Sequence, residues 1–118
     1  MTWKIEYTDE FETWWQQLGS TKLESVAVSI QLLEARGSTL PFPYSSAVMA
    51  SHYRHMRELR IQHKGSPIRV IYAFDPRRVA ILLIGGNKKG NKRWYKNFVP
   101  LADRLYAKHL ASLKQRGT

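Results

Sequence analysis

The chain has 118 residues, of which 43% are hydrophobic, so we expect residues 1–118 to form one domain with a single core. It contains no cysteine, which excludes disulfides and thiolate chemistry. Nineteen Lys and Arg residues against nine Asp and Glu give a net charge of +10, which points to nucleic acid or an acidic protein as partner. The sequence has no signal-peptide pattern and no apolar run of membrane-spanning length, so we expect a cytoplasmic protein without membrane contact.

The N-terminal part of the chain predicts one short strand followed by two helices. Residues 3–7 alternate apolar and polar side chains, which is typical of a strand. Thr8 or Asp9 can cap a helix over 9–18, whose apolar residues recur at helical spacing. A second amphipathic helix is predicted over 22–36, and it ends at a glycine. These two helices can cover the apolar face of a sheet.

The segment 38–54 contains Pro41, Pro43 and several serines without clear periodicity, and it predicts an irregular surface loop. His52 and His55 lie near its end, but they have no acidic or cysteine companions nearby. Because a metal site needs three or four convergent ligands, we expect neither a metal nor another cofactor.

The middle of the chain reads as three consecutive strands joined by two tight turns. Residues 56–62, 68–74 and 79–84 are rich in β-branched and aromatic residues and are separated by Gly, Pro and Asp. Because alternate residues of a strand share a face, one face packs on a core and the other carries Arg60 and Arg69. Like charges crowded on a sheet destabilise it, so this clustering indicates an anionic partner.

A cationic and aromatic segment, residues 87–95, follows the third strand. The last helix is predicted within 94–114, and because Pro100 fits a helix start better than an interior, we place its true beginning near Val99. The predicted order is therefore β-α-α-β-β-β-α, a small α+β domain with an antiparallel sheet and helices on one face.

The sequence lacks the common enzyme signatures, including a Walker-type phosphate loop, HExxH and GxSxG. Glu58 and Asp75 are the only acids between residues 35 and 102, too few for a two-metal nuclease. What remains is metal-free cleavage of RNA, in which the 2′-OH attacks the adjacent phosphate and fixed Arg and Lys side chains stabilise the transition state. Tyr, His, Lys or Glu side chains could move the protons.

Residues 58–95 resemble the core of the RelE/ParE superfamily of bacterial toxins, and most closely its HigB-like branch, also called the phage Gp49-like toxins. The resemblance covers most of the chain and rests on the strand RVIYAF, the apolar strand after it and the lysine-containing tail. It implies a RelE-like fold and the toxin of a type II toxin–antitoxin system. Such a toxin is a metal-independent, ribosome-dependent endoribonuclease that cuts mRNA and inhibits translation. The resemblance also implies a cognate helix-turn-helix antitoxin, through which the pair binds operator DNA.

The same resemblance implies where the site lies. It places catalytic side chains at Arg60, Arg69, Lys89 and Tyr95, and RNA or ribosome contacts at Arg57, Lys88, Lys92 and Arg93. Arg69 and Lys89 are expected to stabilise the phosphate transition state. Arg60 is expected to orient the phosphate, and Tyr95 to stack on a base or assist proton transfer. Glu58 stands where the best-known members have a lysine, and it is either a general base or a partner of Arg60.

Two other functions stay open on the sequence. ParE-like members share the fold but inhibit DNA gyrase, and they typically lack the tail cations and the terminal tyrosine that this chain keeps. A non-catalytic RNA-binding module would account equally well for the charge and the aromatic residues. Such a module would bind RNA with a steep salt dependence but would not cut it.

Overall fold

A five-stranded sheet forms the centre of the computed structural model. The structure describes residues 2–117, so the first and last residues of the predicted domain lie outside the described residues. The strands are β1 (Ile5–Tyr7), β2 (Ser45–Ala47), β3 (Arg57–His63), β4 (Ser66–Phe74) and β5 (Ala80–Asn87). The helices are α1 (Asp9–Gln16), α2 (Ser20–Arg36) and α3 (Trp94–Gln115), with a short 3-10 turn over Gly37–Thr39. The spatial order is β1-β5-β4-β3-β2, in which β1 is parallel to β5 and the other pairs are antiparallel.

The first helix begins where its capping residue predicts. The Thr8 hydroxyl accepts a hydrogen bond from the Phe11 amide at 2.9 Å and donates one to the Leu83 carbonyl at 2.7 Å. Three acidic residues occupy the first turn of α1, where the helix dipole favours negative charge. The cap therefore ties the start of α1 to β5. The two predicted helices and the three-stranded meander β3-β4-β5 are confirmed, although α1 ends two residues earlier than predicted.

Each face of the sheet carries its own apolar core. Phe11, Val26 and Leu33 from α1 and α2 pack against alternate residues of β3, β4 and β5 on one face. Trp94 and Val99 from α3 pack against the intervening residues on the other face. The predicted α+β class and order of the predicted elements are therefore confirmed, but two details were wrong. The sheet is mixed, because β1 is parallel to β5, and α3 covers the opposite face, so the helices do not all lie on one side. This is physically feasible because β4 and β5 are apolar on both faces.

One strand was not predicted. Ser45–Ala47 lies within the segment interpreted as an irregular loop, and it forms an antiparallel edge strand with Arg57, Glu58 and Leu59 of β3. Its three residues are small and carry no alternation of apolar and polar side chains, so the hydrophobic pattern contains no signal for a strand here.

The last helix begins earlier than predicted. α3 starts at Trp94, and Pro100 lies inside it rather than at its start. The proline removes the hydrogen bond that the Lys96 carbonyl would accept, but both residues are exposed, so water can satisfy that carbonyl. Among the helices of residues 2–117, none combines the length and apolar character needed to cross a membrane.

The start of α3 is docked onto the sheet through Trp94. This side chain is 1% exposed, and a Cβ atom on Gly86 would lie 2.7 Å from its Nε1 atom. The Trp94 ring also stacks on Phe98, with centroids 4.8 Å apart. Because Gly86 pairs with Arg69 on β4, the contact holds the beginning of the helix beside that arginine.

We expect Gly86→Ala to lower the free energy of unfolding by about 1–3 kcal/mol, because the added Cβ atom would force the buried Trp94 ring to shift. Chemical denaturation followed by tryptophan fluorescence measures the change. Gly19→Ala is the control, since a Cβ atom there meets nothing within 4 Å. Equal stability of Gly86→Ala and the wild type would show that this close approach does not constrain the fold.

Candidate active site

Charged side chains replace apolar ones on the α3 side of the sheet, near the point where α3 begins. Glu58 and Arg60 belong to β3, and Arg69 belongs to β4 directly opposite Arg60. The alternation of side chains along the strands places all three on one face. Lys88 and Tyr95 reach this face from the end of β5 and the first turn of α3. We call these five residues the Glu58 cluster.

The Glu58 carboxylate is the centre of the cluster, and the residue is 4% exposed. The Tyr95 hydroxyl donates to it, at 2.8 Å from Oε1 and 3.0 Å from Oε2. The Ser46 hydroxyl donates to Oε2 at 3.0 Å. Two cations lie slightly farther away, with Arg69 Nε at 3.7 Å from Oε1 and an Arg60 terminal nitrogen at 4.0 Å from Oε2. Hydroxyl donors and guanidinium groups therefore compensate the buried charge together.

Arg69 is buried, yet its hydrogen-bonding capacity is only partly used. The residue is 5% exposed, and one terminal nitrogen donates to the Ile68 carbonyl at 3.1 Å. Within residues 2–117, Arg69 Nε and Trp94 Nε1 are the buried side-chain atoms that make no hydrogen bond. Buried donors are nearly always paired. The Nε atom faces the Glu58 carboxylate at 3.7 Å, beyond hydrogen-bond distance, so the guanidinium retains donor capacity for an anionic ligand such as a phosphate.

Lys88 lies against the aromatic member of the cluster. Its Nζ atom is 3.4 Å from the Tyr95 hydroxyl and 5.0 Å from the centroid of the Tyr95 ring. Partial burial and the nearby charges of Arg69 and Arg60 lower the pKa of Lys88, against an opposing effect of Glu58. The Lys88 ammonium group is therefore a better proton donor than that of an ordinary lysine.

Burial and the hydrogen bond to Glu58 raise the pKa of Tyr95 above its usual value, with Arg69 acting in the opposite direction. The negative carboxylate disfavours the phenolate because both would carry charge within hydrogen-bond distance. Tyr95 consequently remains a neutral hydroxyl at physiological pH. In this state it links Glu58 to Lys88 through one row of hydrogen bonds.

The remaining cations predicted for the site lie outside the Glu58 cluster. Lys89, Lys92 and Arg93 are exposed on the segment that connects β5 to α3. Arg57 points to the opposite face of the sheet, where its Nε donates to the Ser45 hydroxyl at 2.9 Å. Because neighbouring residues of a strand face opposite sides of the sheet, the side chain of Arg57 lies on the side opposite Glu58. Lys88 is thus the lysine that contacts the tyrosine, while Lys89 and Lys92 line the same depression as Tyr95.

Ser46 is a member of the site that sequence reasoning missed. It pairs directly with Glu58 across β2 and β3, and this pairing brings its hydroxyl to the carboxylate. The serine lies in a serine-containing segment interpreted as an irregular loop, and nothing in the local pattern distinguishes it from Ser45 or Ser51.

Within residues 2–117, no group of three or more His, Asp or Glu side chains is placed to hold a metal ion. The two histidines considered as ligands contact α3 instead. The His52 amide donates to the Asp103 carboxylate at 3.0 Å, and His55 Nε2 lies 3.0 Å from the Tyr106 hydroxyl. These contacts attach the segment after β2 to α3.

Replacing Glu58 by glutamine should lower the pKa of Tyr95 toward the ordinary value, because a neutral amide no longer disfavours the phenolate. The measurement is a spectroscopic pH titration of phenolate absorbance, with Tyr95→Phe identifying the contribution of this tyrosine. Glu10→Gln, which alters an exposed acid on α1, should leave the titration unchanged. An unaltered Tyr95 titration in Glu58→Gln would contradict the contact.

The chain is similar to one protein family and to two toxins of known sequence. The family model described as phage derived protein Gp49-like matches residues 13–107. Putative toxin HigB3 of Mycobacterium tuberculosis (strain ATCC 25618 / H37Rv) is 45% identical over 104 residues, which are 87% of this chain and 90% of that protein. Putative toxin HigB2 of the same organism is 36% identical over 108 residues, covering 90% of this chain but 54% of that protein.

The fold is similar to that of a solved toxin structure. The archaeal RelE–RelB complex from Pyrococcus horikoshii OT3 contains a chain that matches with a TM-score of 0.55. The match covers 77% of this chain and 99% of that chain, at 16% sequence identity. At this identity the similarity concerns the fold, and it agrees with the arrangement of strands and helices described above.

Proposed function

Because the chain belongs to the phage-derived Gp49-like family and is a HigB-like toxin of the RelE superfamily, we propose that it is an endoribonuclease. In this proposal it cuts messenger RNA on the ribosome without a metal ion. It would act in the cytoplasm as the toxin of a type II toxin–antitoxin pair. The observation that carries the proposal is the buried Glu58 carboxylate in contact with Tyr95 and beside Arg69 and Arg60. These side chains supply a base, a hydroxyl donor and phosphate-binding cations within reach of one another, as attack by a 2′-OH requires.

The reaction begins at the base. Glu58 accepts the proton of the 2′-OH, and the 2′-oxygen forms a bond to the adjacent phosphorus. The bond between that phosphorus and the 5′-oxygen breaks, and Lys88 gives a proton to the leaving oxygen. The products are a 2′,3′-cyclic phosphate and a 5′-hydroxyl, and DNA is not cut because it lacks the nucleophile. Arg69 and Arg60 stabilise the negative charge that develops on the phosphate oxygens.

Tyr95 acts between the base and the acid. In the free protein its hydroxyl is within hydrogen-bond distance of both oxygens of Glu58 and also accepts from Lys88. Substrate binding requires Tyr95 to release one carboxylate oxygen to the 2′-OH while it retains the other. The tyrosine thereby orients the carboxylate and keeps Glu58 and Lys88 in one hydrogen-bonded row, through which the protons can be redistributed after cleavage.

Lys88 is the catalytic lysine of this proposal and acts as a general acid, whereas the resemblance implied that Lys89 stabilises the phosphate transition state. The Lys88 ammonium lies at the Tyr95 hydroxyl, and burial with the neighbouring arginines lowers the pKa of Lys88. Lys89, Lys92 and Arg93 are exposed, and we assign them to contacts with ribosomal RNA, which salt would weaken. Arg57, on the opposite face, has no part in this proposal.

We also infer a cognate antitoxin. The archaeal RelE that shares this fold is bound to RelB, and this chain carries a net charge of +10. Acidic segments of an antitoxin would be complementary to the cationic face around the Glu58 cluster. A helix-turn-helix region of that antitoxin would bring the pair to operator DNA. Co-expression of the protein encoded beside this one should then suppress growth arrest.

The first test is inducible expression in a bacterial host, with message cleavage mapped by primer extension. We expect the wild type to arrest growth and to cut translated messages. Glu58→Gln and Arg69→Ala should reduce cleavage by about 10²- to 10³-fold, because each removes a transition-state interaction. Arg104→Ala, which removes an exposed arginine from α3, is the control for lost charge.

The outcomes of this test separate the competing functions. Growth arrest with signs of DNA damage and without message cleavage would favour inhibition of DNA gyrase. RNA binding with steep salt dependence, but without arrest or cleavage, would indicate a binding module. Full cleavage by Arg69→Ala would place the site elsewhere on the molecule.

A second test compares two adjacent lysines in single-turnover cleavage on programmed ribosomes. Lys88→Ala should slow cleavage by about 10²-fold, because the general acid is lost. Lys89→Ala changes the same charge at an exposed position and should have a much smaller effect, mainly on binding. A larger effect of Lys89→Ala on the cleavage step would return the catalytic role to that residue.

A further inference from the structure

Two aromatic side chains are exposed on the segment that precedes β2, next to the arginines of the Glu58 cluster. Phe42 is 68% exposed and Tyr44 is 49% exposed. The Arg60 guanidinium lies over the Phe42 ring, 5.0 Å from its centroid, and the Arg60 amide donates to the Tyr44 carbonyl at 2.9 Å. Neighbouring exposed aromatic rings are a recurrent mark of a binding surface, because water is a poor environment for them.

A depression of about 250 Å³ lies between this aromatic segment and the sheet. Its lining residues are Pro43, Tyr44, Arg60, Gln62 and Arg69. The lining therefore combines an exposed tyrosine with two arginines. Both arginines also lie near the Glu58 carboxylate, Arg69 through Nε at 3.7 Å and Arg60 at 4.0 Å, and one carboxylate leaves this pair with a net positive charge for an anion.

The aromatic segment is held in place by its backbone. The amides of Tyr44 and Ser45 both donate to the Pro41 carbonyl, at 3.0 and 3.1 Å. Ser45 is fully buried, and its hydroxyl lies 2.6 Å from the Tyr72 hydroxyl. The position of the Tyr44 backbone is thus fixed before any ligand arrives. A preorganised surface loses less conformational entropy on binding than a mobile one.

We propose that this depression binds one unpaired nucleotide of the RNA, with its base against the Tyr44 ring and its phosphate at Arg60 and Arg69. The proposal rests on the endoribonuclease function above and adds a base-stacking subsite to it. The Phe42 ring lies 5.0 Å from the Arg60 guanidinium, and this cation–π contact restrains the arginine that lines the depression.

Stacking on an aromatic side chain tolerates every base, since each has a π-face, and paired bases in a duplex do not expose that face. An unpaired strand therefore matches the combination of ring and cations better than a helix of RNA. The subsite would let the protein hold a message next to the cut without selecting one sequence.

The test measures binding of a single-stranded oligonucleotide that contains 2-aminopurine and 2′-fluoro sugars. Without a 2′-OH this RNA cannot be cut, so binding is observed apart from cleavage. We expect wild-type protein to quench the fluorescence as the base stacks, both with free oligonucleotide and with the oligonucleotide placed as message on a ribosome. Tyr44→Ala should bind about 5- to 100-fold more weakly and lose the quench.

Three variants control this measurement. Tyr44→Phe keeps the ring and should retain both binding and quench. Tyr44→Leu keeps an apolar side chain without a ring and should lose the quench, and it replaces the alanine variant if that variant unfolds. Tyr7→Ala removes another exposed tyrosine, 56% exposed on β1 at the far edge of the sheet, and should change nothing.

The result that overturns the proposal is equal binding and equal quench by Tyr44→Ala, Tyr44→Leu and the wild type. The proposal would also be overturned if the wild type quenched the fluorescence neither with free oligonucleotide nor with the oligonucleotide on a ribosome. Loss of antitoxin binding in Tyr44→Ala with RNA binding intact would assign the surface to a protein partner instead. Failure of the nuclease function is distinguishable, because a protein that quenches the uncuttable RNA yet leaves cellular messages intact has the subsite without the activity.

Discussion

The buried negative charge of Glu58 is the constraint on which the arrangement of the site depends. Removing a carboxylate from water is costly unless hydrogen bonds and opposite charges replace the water. Here the replacements come from three separate elements, since Ser46 lies on β2, Arg69 on β4 and Tyr95 on α3. One charged group therefore holds three elements to the middle of β3. The same groups that make its burial tolerable are those that an RNA phosphate and its 2′-OH would contact.

The side chains around Glu58 carry more positive charge than its carboxylate can neutralise, and this excess favours an anionic ligand. Arg60 and Arg69 lie directly opposite each other on neighbouring strands, a like-charge pairing that destabilises a sheet. Lys88 adds a third positive charge, and the repulsion contributes to its lowered pKa. A single carboxylate cannot neutralise three cations. In the proposed function, an RNA phosphate supplies the missing negative charge, so repulsion in the free protein favours binding of the ligand.

The position of Tyr95 is set by how α3 is attached to the sheet. Trp94 against Gly86 fixes the beginning of the helix. Near the other end, His109 Nε2 lies 2.9 Å from the Asp75 carboxylate, which also accepts from Arg77 in the turn between β4 and β5. Because the helix is held near both ends, a rigid element presents Tyr95 and fixes its hydroxyl at the Glu58 carboxylate.

The sequence by itself determined the α+β class, the two leading helices, the meander and the family, because periodicity and turn residues are local signals. Strand alternation also placed Arg60 and Arg69 on one face, since that property needs only a period of two. Tertiary structure decided which face of the sheet α3 covers. Both faces of β4 and β5 carry apolar residues, so the sequence pattern is compatible with packing of α3 on either face. Tertiary structure likewise brought Ser46 to Glu58 and the Lys88 ammonium to the Tyr95 hydroxyl. The packing of α3 and the positions of these side chains depend on contacts between residues far apart in the chain. Local sequence patterns carry no information about such contacts.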